Sequence, residues 1–285
     1  MSFHSHVQKK AYQKALQDPL KAVAFDVDGT LTHFSRFIIP RSLAEVLVKI
    51  PPHIPRAICT GRELQFIHSQ LKHICSHAEN PQEERKRWVI FLENGALAYE
   101  WDEDKQDYKS FLEVPWPEPY QKEEMQAVIK KHMRGRGSVG VRDYTLVVLN
   151  PRWAYFFPNL TKLLSKRNHA RLETLFRKRG WDKAFSVQNS GIGNVILSKE
   201  SGKGNAMQHW AKHLKIRADE ILVVGDQPRL GGNDADFLNG RNGTPFTVGE
   251  LTHEDYPFPV HDAKGHRLQG PEGTKALLGQ VTWST

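Results

Sequence analysis

The sequence is poor in the features that mark disulfide-rich, secreted or membrane-spanning proteins. It has only two cysteines, Cys59 and Cys75, too few for a disulfide framework or for a zinc site without histidine ligands. No apolar run approaches the ~20 residues that cross a bilayer, and the polar segment from Met1 to Gln17 lacks the apolar stretch of a signal peptide. We therefore expect reduced, buried thiols, no membrane partner and a cytoplasmic protein.

The composition is that of a globular protein whose positive charge is unevenly distributed. Its 285 residues, 39% of them hydrophobic, suffice for one large or two modest domains. Residues 121–183 hold fifteen Lys or Arg and five Asp or Glu, so they carry a charge of +10 and the rest of the chain −2. This segment has no zinc-finger spacing and no aromatic-rich RNA-binding signature. We therefore expect a surface that attracts small anions, and no nucleic-acid partner.

Short apolar runs that end in polar clusters recur along the chain. Four runs share this form, at 21–25, 56–59, 88–92 and 221–224. The helical patterns between them lie at 41–48, 63–73 and 204–214. Buried strands without polar alternation, separated by helices, predict an α/β fold with a Rossmann-like parallel sheet covered on both faces. Ligands bind at the carboxyl ends of such strands, so the four polar clusters form the candidate site.

The middle of the chain has another pattern. Helical patterns at 119–133 and 159–180 alternate with extended runs at 140–149, 153–157 and 185–188. They predict a small antiparallel sheet backed by two helices. The pattern changes in charged and glycine-rich stretches, which are typical of domain boundaries. We therefore predict a core made of residues 1–100 and 194–285, with an inserted α+β cap domain at 101–193.

The strongest chemical signal is the segment Asp26-Val27-Asp28-Gly29-Thr30, directly after the first apolar run. Two carboxylates one residue apart at a strand end can divide the work of phosphoryl transfer. Asp26 would attack phosphorus, and Asp28 would give or take the proton of the oxygen opposite. Gly29 permits a tight turn whose N–H groups face a phosphate. The alternative is an ordinary Asx turn before a loop.

The other clusters supply the missing parts of the same reaction. Thr60 follows the second run, where it can donate to a phosphate oxygen or cap the next helix. Lys203 opens a helix, where it can neutralise a phosphoryl group or remain a solvated loop lysine. Asp226, together with Asn233 and Asp234 after a double glycine, offers the hard oxygen ligands that Mg²⁺ prefers. The alternative there is a polar loop that caps a helix.

The clusters that contain Asp26, Thr60, Lys203 and Asp226, in this order, resemble the signature of the haloacid dehalogenase superfamily of phosphotransferases. The resemblance implies Asp26 as nucleophile, Asp28 as general acid/base, and Thr60 and Lys203 as phosphate-binding residues. It also implies a Mg²⁺ site whose oxygen ligands come from Asp26, the backbone carbonyl of Asp28, Asp226, Asn233 and Asp234. The insertion after Glu93-Asn94-Gly95 resembles the cap position of the branch that contains sucrose, trehalose and mannosylglycerate phosphatases and eukaryotic-type phosphomannomutases.

Within that branch the local likeness is to phosphomannomutase, with two departures. The double glycine between Gly225 and Asp234 has that family's loop length, but its Gly-Arg-Ser-type loop, which clamps a second phosphate, has no clear counterpart at 139–152. Lys183 also lies in a stretch that resembles the mutase's lysine motif. Lys203 precedes Asp226 by 23 residues, room for one helix and one strand, so we choose Lys203.

Residues for substrate binding are expected on both predicted domains. The candidates share positions beside the polar clusters of the core or on the extended runs of the cap, and they are Gly61, Arg62, Asn94, Arg142, Asn150 and Arg152. The aromatic side chains at 153–157 could stack on a sugar ring, but such a dense aromatic cluster more often belongs to a core.

We predict a magnesium-dependent phosphomonoester hydrolase that acts on a phosphorylated sugar or a similar small metabolite through an aspartyl-phosphate. One alternative is a phosphomannomutase-like sugar phosphomutase, which would return the phosphoryl group to its substrate. Another is a catalytically silent relative that binds an anion or RNA through the cap. A binding module needs no second acid beside Asp26, so Asp28 argues against silence. The sequence predicts neither the identity of the sugar nor the oligomeric state.

Overall fold

The computed structural model describes residues 6–33, 38–62, 64–252 and 254–285. Its helices are α1 (His6–Gln17), α2 (Arg41–Leu47), α3 (Leu64–Cys75), α4 (Pro81–Lys86), α5 (Lys122–His132), α6 (Pro158–Arg179), α7 (Lys203–Leu214) and α8 (Gly270–Leu278). Its strands are β1 (Ala22–Phe25), β2 (Arg56–Cys59), β3 (Trp88–Leu92), β4 (Leu97–Asp102), β5 (Asp107–Glu113), β6 (Ser138–Val141), β7 (Leu146–Leu149), β8 (Phe185–Asn189), β9 (Gly193–Ser198), β10 (Ile221–Gly225), β11 (Thr244–Thr247) and β12 (Phe258–Pro259). Within these ranges, no helix combines the length and the apolar composition that crossing a bilayer requires.

The larger sheet has the strand order β12-β11-β10-β1-β2-β3-β4-β5. The strands from β12 to β3 are parallel, and β4 and β5 extend that edge as antiparallel neighbours. The four predicted apolar runs are β1, β2, β3 and β10, and every residue of these strands is buried. The predicted parallel α/β core is therefore confirmed. The predicted helix at 63–73 is α3, and Glu63 lies outside the described residues.

Helices cover both faces of this sheet because alternate strand residues point to opposite sides. On one face, Phe25 and Trp88 pack with the apolar side of α3 and with Leu277 of α8. On the other face, small residues such as Ala24 and the thiol of Cys59 lie under the apolar side of α7. Cys59 and Cys75 are both free and buried, as expected. The two covered faces leave the carboxyl ends of the strands open for a site.

The smaller sheet is antiparallel, with the order β6-β7-β9-β8. Its apolar face packs against α5 and α6 through Ile129, Leu172 and Phe176. The predicted second layer, an antiparallel sheet backed by two helices, is therefore confirmed. The strand pairing also indicates where the cap begins and ends along the chain. The strands within 97–113 belong to the larger sheet, and the strand at 193–198 belongs to the smaller one. We therefore propose that the cap is better delimited as 114–198 than as 101–193.

The aromatic segment 153–157 differs from the prediction. The sequence predicts an extended segment that belongs to a core, but Arg152–Phe156 forms a short 3₁₀ helix that leads into α6. Trp153, Phe156 and Phe157 are 55%, 82% and 59% exposed. The physical reason is that Pro151 and Pro158 flank the segment, because proline removes the N–H that a strand ladder needs. The apolar space of the cap is filled instead by Phe176 and Phe185.

Candidate active site

The sheet register brings the ends of three central strands together. β1 lies between β2 and β10, and Phe25 pairs with Ile58 on one side and with Val224 on the other. Asp26 follows β1 directly, and its backbone N–H donates to the carbonyl of Val224, 2.9 Å away. Polar residues that are 200 positions apart in sequence, such as Asp26 and Asp226, thereby share one edge of the sheet. Both carboxylates are almost fully buried.

Lys203 forms ion pairs with two buried carboxylates, those of Asp26 and Asp234. It is the first residue of α7, its side chain is fully buried, and its Nζ lies 2.5 Å from Oδ1 of Asp26 and 2.6 Å from Oδ1 of Asp234. The other oxygen of Asp234 accepts the backbone N–H groups of Asp226 and Gln227 at 3.0 and 3.1 Å. Asp234 is therefore committed to three donors, and it orients both the ammonium group and the loop after β10. Lys183, by contrast, is exposed in the cap.

The charges in this cluster are strongly coupled. Burial raises the pKa of Asp26 to about 7; the Lys203 ammonium opposes this shift, and the nearby carboxylates of Asp234 and Asp28 add to it. Burial also raises the pKa of Asp226 well above its ordinary value, with Asp234 and Asp26 as further causes. Burial acts to lower the pKa of Lys203, but the two carboxylates outweigh it and raise that pKa. One buried cation thus faces three carboxyl groups, so a further positive charge would be stabilised there.

The donor atoms fit a hard divalent cation. Carboxylate oxygens of Asp26, Asp226 and Asp234 all lie within 4.8 Å of one another. Among the described residues, Oδ1 of Asp226 and Oδ1 of Asn233 are buried without a hydrogen-bond partner. A buried oxygen without a donor is costly, and a cation would satisfy it. An all-oxygen set is what Mg²⁺ prefers. Because Asp234 is committed to N–H donors, the free oxygens of Asp226 and Asn233 fit the ion better.

Asp28 lies beside this cluster but has a different environment. Its side chain is 33% exposed, and its two oxygens accept a bidentate pair of bonds from Arg62 at 2.7 and 2.9 Å. The bond to Asp28 is the main reason that the pKa of Arg62 is raised. Gly29 turns the chain immediately afterwards with a φ of 84°, a value that L side chains rarely adopt. The first carboxylate of the pair is therefore buried, whereas the second is partly exposed.

Thr60, Gly61 and Asn94 form a second wall of the site. Thr60 is buried at the end of β2, its hydroxyl accepts the N–H of Arg62 at 3.1 Å, and its carbonyl accepts the N–H of Asn94 at 3.0 Å. A Cβ on Gly61 would lie 3.1 Å from Oδ1 of Asn94, so a larger residue would crowd that amide. This Oδ1 is itself buried without a hydrogen-bond partner in the described part of the chain. The wall thus presents polar atoms that a bound ligand could engage.

The three cap residues chosen from the sequence have different surroundings. Arg142 follows β6, and its guanidinium donates to the carbonyl of Gly61, so the structure brings it to the core site. Asn150 is buried inside the cap, where it donates to the carbonyl of Thr161 and accepts from Asn168 at 3.0 Å each. Its amide is therefore engaged within the cap, away from the core cluster. Arg152 is exposed at the start of the 3₁₀ helix, and no contact within the described ranges joins it to that cluster.

Sequence reasoning missed two junctions between cap and core. Glu93, at the end of β3, accepts hydrogen bonds from Tyr144 and Thr145 of the cap. Asn189, at the end of β8, donates to the carbonyl of Gly231 at 2.7 Å and accepts the N–H of Asn233 at 3.2 Å. Both junctions join residues that are more than 40 positions apart, so no local pattern announces them. The only signal near Glu93 is the cluster Glu93-Asn94-Gly95 itself.

Comparisons with known proteins identify the family and the fold. Residues 20–232 match the family of haloacid dehalogenase-like hydrolases. No curated protein sequence matches the chain significantly. Many solved structures share its fold. One is the IMP-bound, N-terminally truncated IMP-nucleotidase of Plasmodium falciparum, with 15% identity and a TM-score of 0.64 over 95% of this chain and 70% of that one.

Two further structures are similar over most of their length. The sucrose-phosphatase of Synechocystis in complex with sucrose and phosphate has 17% identity and a TM-score of 0.51, over 81% of this chain and 83% of that one. A protein of Thermoplasma acidophilum has 15% identity and a TM-score of 0.53, over 83% and 88%. At such low identities these likenesses establish the shared fold alone.

Proposed function

The chain belongs to the haloacid dehalogenase-like hydrolases, and we propose that it is a magnesium-dependent phosphatase of small phosphorylated metabolites. The observation that carries the proposal is the buried contact of Lys203 with Asp26 and Asp234, beside the unsatisfied oxygen of Asp226. A lysine that holds a carboxylate at a strand end, next to further carboxylate oxygens, suits a nucleophile that attacks a negatively charged phosphoryl group.

We assign the Mg²⁺ site to Asp26, Asp226 and Asn233, with the backbone carbonyl of Asp28 as a further ligand. Asp234 then acts by orienting Lys203 and the loop after β10, because its two oxygens already accept three hydrogen bonds. When bound, the ion would neutralise charge on the phosphoryl oxygens and on the crowded carboxylates. It would also lower the pKa of Asp26 from its raised value, so that the nucleophile is ionised near neutral pH.

The reaction follows from the positions of the two aspartates. Oδ2 of Asp26, the oxygen not held by Lys203, attacks phosphorus, and the bond to the leaving oxygen breaks. Asp28 gives that oxygen a proton, which requires Arg62 to release it from their bidentate pair. In the second half, Asp28 takes a proton from water, which attacks the aspartyl-phosphate and frees Asp26. The hydroxyl of Thr60 and the ammonium of Lys203 stabilise the transferred oxygens.

The substrate class is proposed from the residues at the mouth of the site. Arg62 and Arg142 are two cationic side chains on the loop after β2 and on the cap, suited to an anionic or hydroxyl-rich leaving group. A phosphorylated sugar or similar small polyol fits this description. The exposed aromatic side chains at 153–157 favour a second candidate, a nucleoside monophosphate, whose base could stack on them. The related structures with bound sucrose and phosphate and with bound IMP represent these two classes.

Hydrolysis is favoured over phosphomutase activity by what each reaction demands of the cap. A mutase must hold a bisphosphorylated intermediate while it turns over, which needs a second phosphate clamp built from arginine and further donors. Arg142 donates to a carbonyl of the core, whereas Arg152 is exposed and has no contact with the core cluster in the described part of the chain. One guanidinium that already donates to a backbone carbonyl is a weak clamp. A phosphatase needs only water after the first product has left.

The proposal is tested by measuring phosphate release from a panel of sugar phosphates and nucleoside monophosphates, with and without Mg²⁺. We expect release from at least one class and its loss in the presence of a chelator. In parallel, mannose 1-phosphate and glucose 1-phosphate are incubated with and without a bisphosphate primer and followed by phosphorus NMR. Faster accumulation of the 6-phosphate isomer than of free phosphate would favour the mutase. No turnover of any compound would favour a silent anion-binding relative.

A further inference from the structure

A short turn between β3 and β4 contacts the end of β2, the start of α7 and a loop of the cap. This active-site turn, residues 93–95, packs against the start of α7, where a Cβ on Gly95 would lie 2.7 Å from the Cβ of Ala206 and 2.9 Å from the carbonyl oxygen of Gly202. Its Asn94 N–H donates to the carbonyl of Thr60. The turn is thus fixed on one side to the helix that begins at Lys203 and on the other to the end of β2.

The backbone of this turn is unusual. Glu93 and Asn94 are consecutive non-glycine residues with φ values of 48° and 57°. The left-handed region is tolerated by asparagine but disfavoured for glutamate, so Glu93 stores strain that its contacts must offset. The carboxylate of Glu93 is buried, although Glu93 lies just beyond the carboxyl end of β3. A buried acid in a strained conformation beside the candidate site suggests that its carboxylate has a specific function there.

The contacts of the carboxylate define that role. One oxygen, Oε2 of Glu93, accepts the N–H of Tyr144 at 3.0 Å and the hydroxyl of Thr145 at 2.7 Å. Both belong to the cap loop, residues 142–145, which connects β6 to β7 and is closed by a bond from the N–H of Arg142 to the carbonyl of Thr145. The same loop sends the guanidinium of Arg142 to the carbonyl of Gly61. Glu93 therefore lies where the cap loop meets the site.

We propose that Glu93 is a positioning residue that docks the cap loop on the active-site turn and thereby sets Arg142 at the mouth of the site. The docking follows from two hydrogen bonds that one buried oxygen of Glu93 accepts, because hydrogen bonds are stronger in a buried place than in water. The consequence for substrate binding rests on the proposed function: Arg142, once held, binds the leaving group. The active-site turn is fixed to Thr60 and to the start of α7. The position of the cap loop is therefore coupled to the positions of Thr60 and Lys203.

The test uses the full chain and a set of matched variants. Glu93→Ala removes the acceptor. Glu93→Gln keeps an oxygen that can accept both bonds and removes only the charge. Glu113→Ala is the control, since Glu113 accepts a solvent-exposed bond from the Tyr144 hydroxyl of the same loop. Arg142→Ala and the double variant of Glu93 and Arg142 complete a cycle that separates docking from general destabilisation.

Hydrogen exchange in the ligand-free protein measures docking without any substrate. We expect Glu93→Ala to speed exchange of the Tyr144 amide by about tenfold or more, while Glu93→Gln and Glu113→Ala stay within about threefold of the unchanged protein. Unchanged protection in Glu93→Ala would overturn the docking role. Equal losses in Glu93→Ala and Glu93→Gln would overturn it as well, because charge and not the acceptor oxygen would then matter.

Kinetics with p-nitrophenyl phosphate, glucose 6-phosphate and IMP measure the consequence. For a sugar or nucleotide probe that is hydrolysed, we expect Glu93→Ala to raise KM by about tenfold with kcat within about threefold. Arg142→Ala and the double variant should have the same KM as Glu93→Ala, since all three remove the same interaction, that of Arg142 with the leaving group. Additive losses would contradict positioning through Arg142. If the unchanged protein hydrolyses neither these probes nor any compound of the full panel, the proposed function fails, whereas the exchange result still decides the docking.

Discussion

The core and the cap present their candidate residues in different ways. In the core, Asp26, Thr60 and Asp226 directly follow parallel strands and are buried, so the sheet itself fixes their positions. In the cap, Arg142 lies on a loop and reaches the site only through contacts across the junction. The sheet therefore fixes the candidate catalytic groups, whereas under the proposed function the choice of substrate would depend on how the cap is docked.

The largest effect should come from the nucleophile of the core. Asp26→Asn is expected to lower turnover by at least about a thousandfold, because an amide cannot form the aspartyl-phosphate. The fold should survive, since removing one buried carboxylate relieves repulsion from Asp234. Phosphate release and far-UV circular dichroism measure the two effects, with the exposed Asp104→Asn as control. A folded variant with activity within about tenfold of the unchanged protein would refute the assignment.

The next effect contrasts a core lysine with a cap lysine. Lys203→Met should cost about 3 kcal/mol or more of transition-state stabilisation, the scale for one preorganised charge, because the buried ammonium contacts Asp26 and Asp234. Lys183→Met should change activity by less than about twofold, since Lys183 is exposed in the cap. The ratio of kcat/KM values for the two variants measures the contrast. Equal losses of kcat/KM in the two variants would contradict the assignment of the catalytic lysine to the core.

Much of the core could be predicted from the sequence because its signals are local. Asp26, Thr60 and Asp226 each directly follow an apolar strand, so the apolar run and the polar motif support each other as signals. The spacing from Lys203 to Asp226 leaves room for one helix and one strand. The pair β4 and β5 was not predicted to join the larger sheet. A hairpin that continues a parallel sheet has the same local pattern as one that begins a new layer.

The cap could be predicted less well because its contacts are long-range. Asn150 had the position and chemistry of a substrate-binding residue, but Thr161 and Asn168 occupy its amide. The aromatic segment at 153–157 had the composition of a core, but two prolines turn it into an exposed helical turn. The role proposed for Glu93 depends on a loop 51 residues away. None of these outcomes is encoded within a short window of sequence.

The core should also respond to pH through its buried carboxylates. The pKa of Asp26 is raised to about 7 in the folded, metal-free protein, against about 4 in an unfolded chain. Between these values the folded state binds more protons than the unfolded state, so the free energy of unfolding should fall as the pH rises from about 4 to about 7. Mg²⁺ competes with those protons, so its stabilising effect should grow over the same window.

Thermal unfolding with EDTA or with excess MgCl₂, measured across this pH range, checks both trends. We expect the gain in Tm from Mg²⁺ to be larger at about pH 7 than at about pH 5, and to shrink in Asp226→Asn, which removes a proposed ligand. CaCl₂ serves as a second cation with looser geometric demands. A gain that is independent of pH would show that the ion does not bind at these carboxylates.

The smallest effect separates the two cap arginines and sharpens the contrast between the domains. Arg142→Ala should raise KM by about tenfold, or about 1.4 kcal/mol, because its guanidinium stands at the loop of Gly61, where a leaving group would lie. Arg152→Ala should change KM by less than about twofold, since its exposed side chain has no contact with the site in the described structure. Because neither arginine touches the reacting carboxylates, kcat should stay within about threefold for both. Steady-state kinetics on a hydrolysed sugar phosphate or nucleotide check these values, and a loss of kcat in Arg142→Ala would place the cap in the chemical step itself.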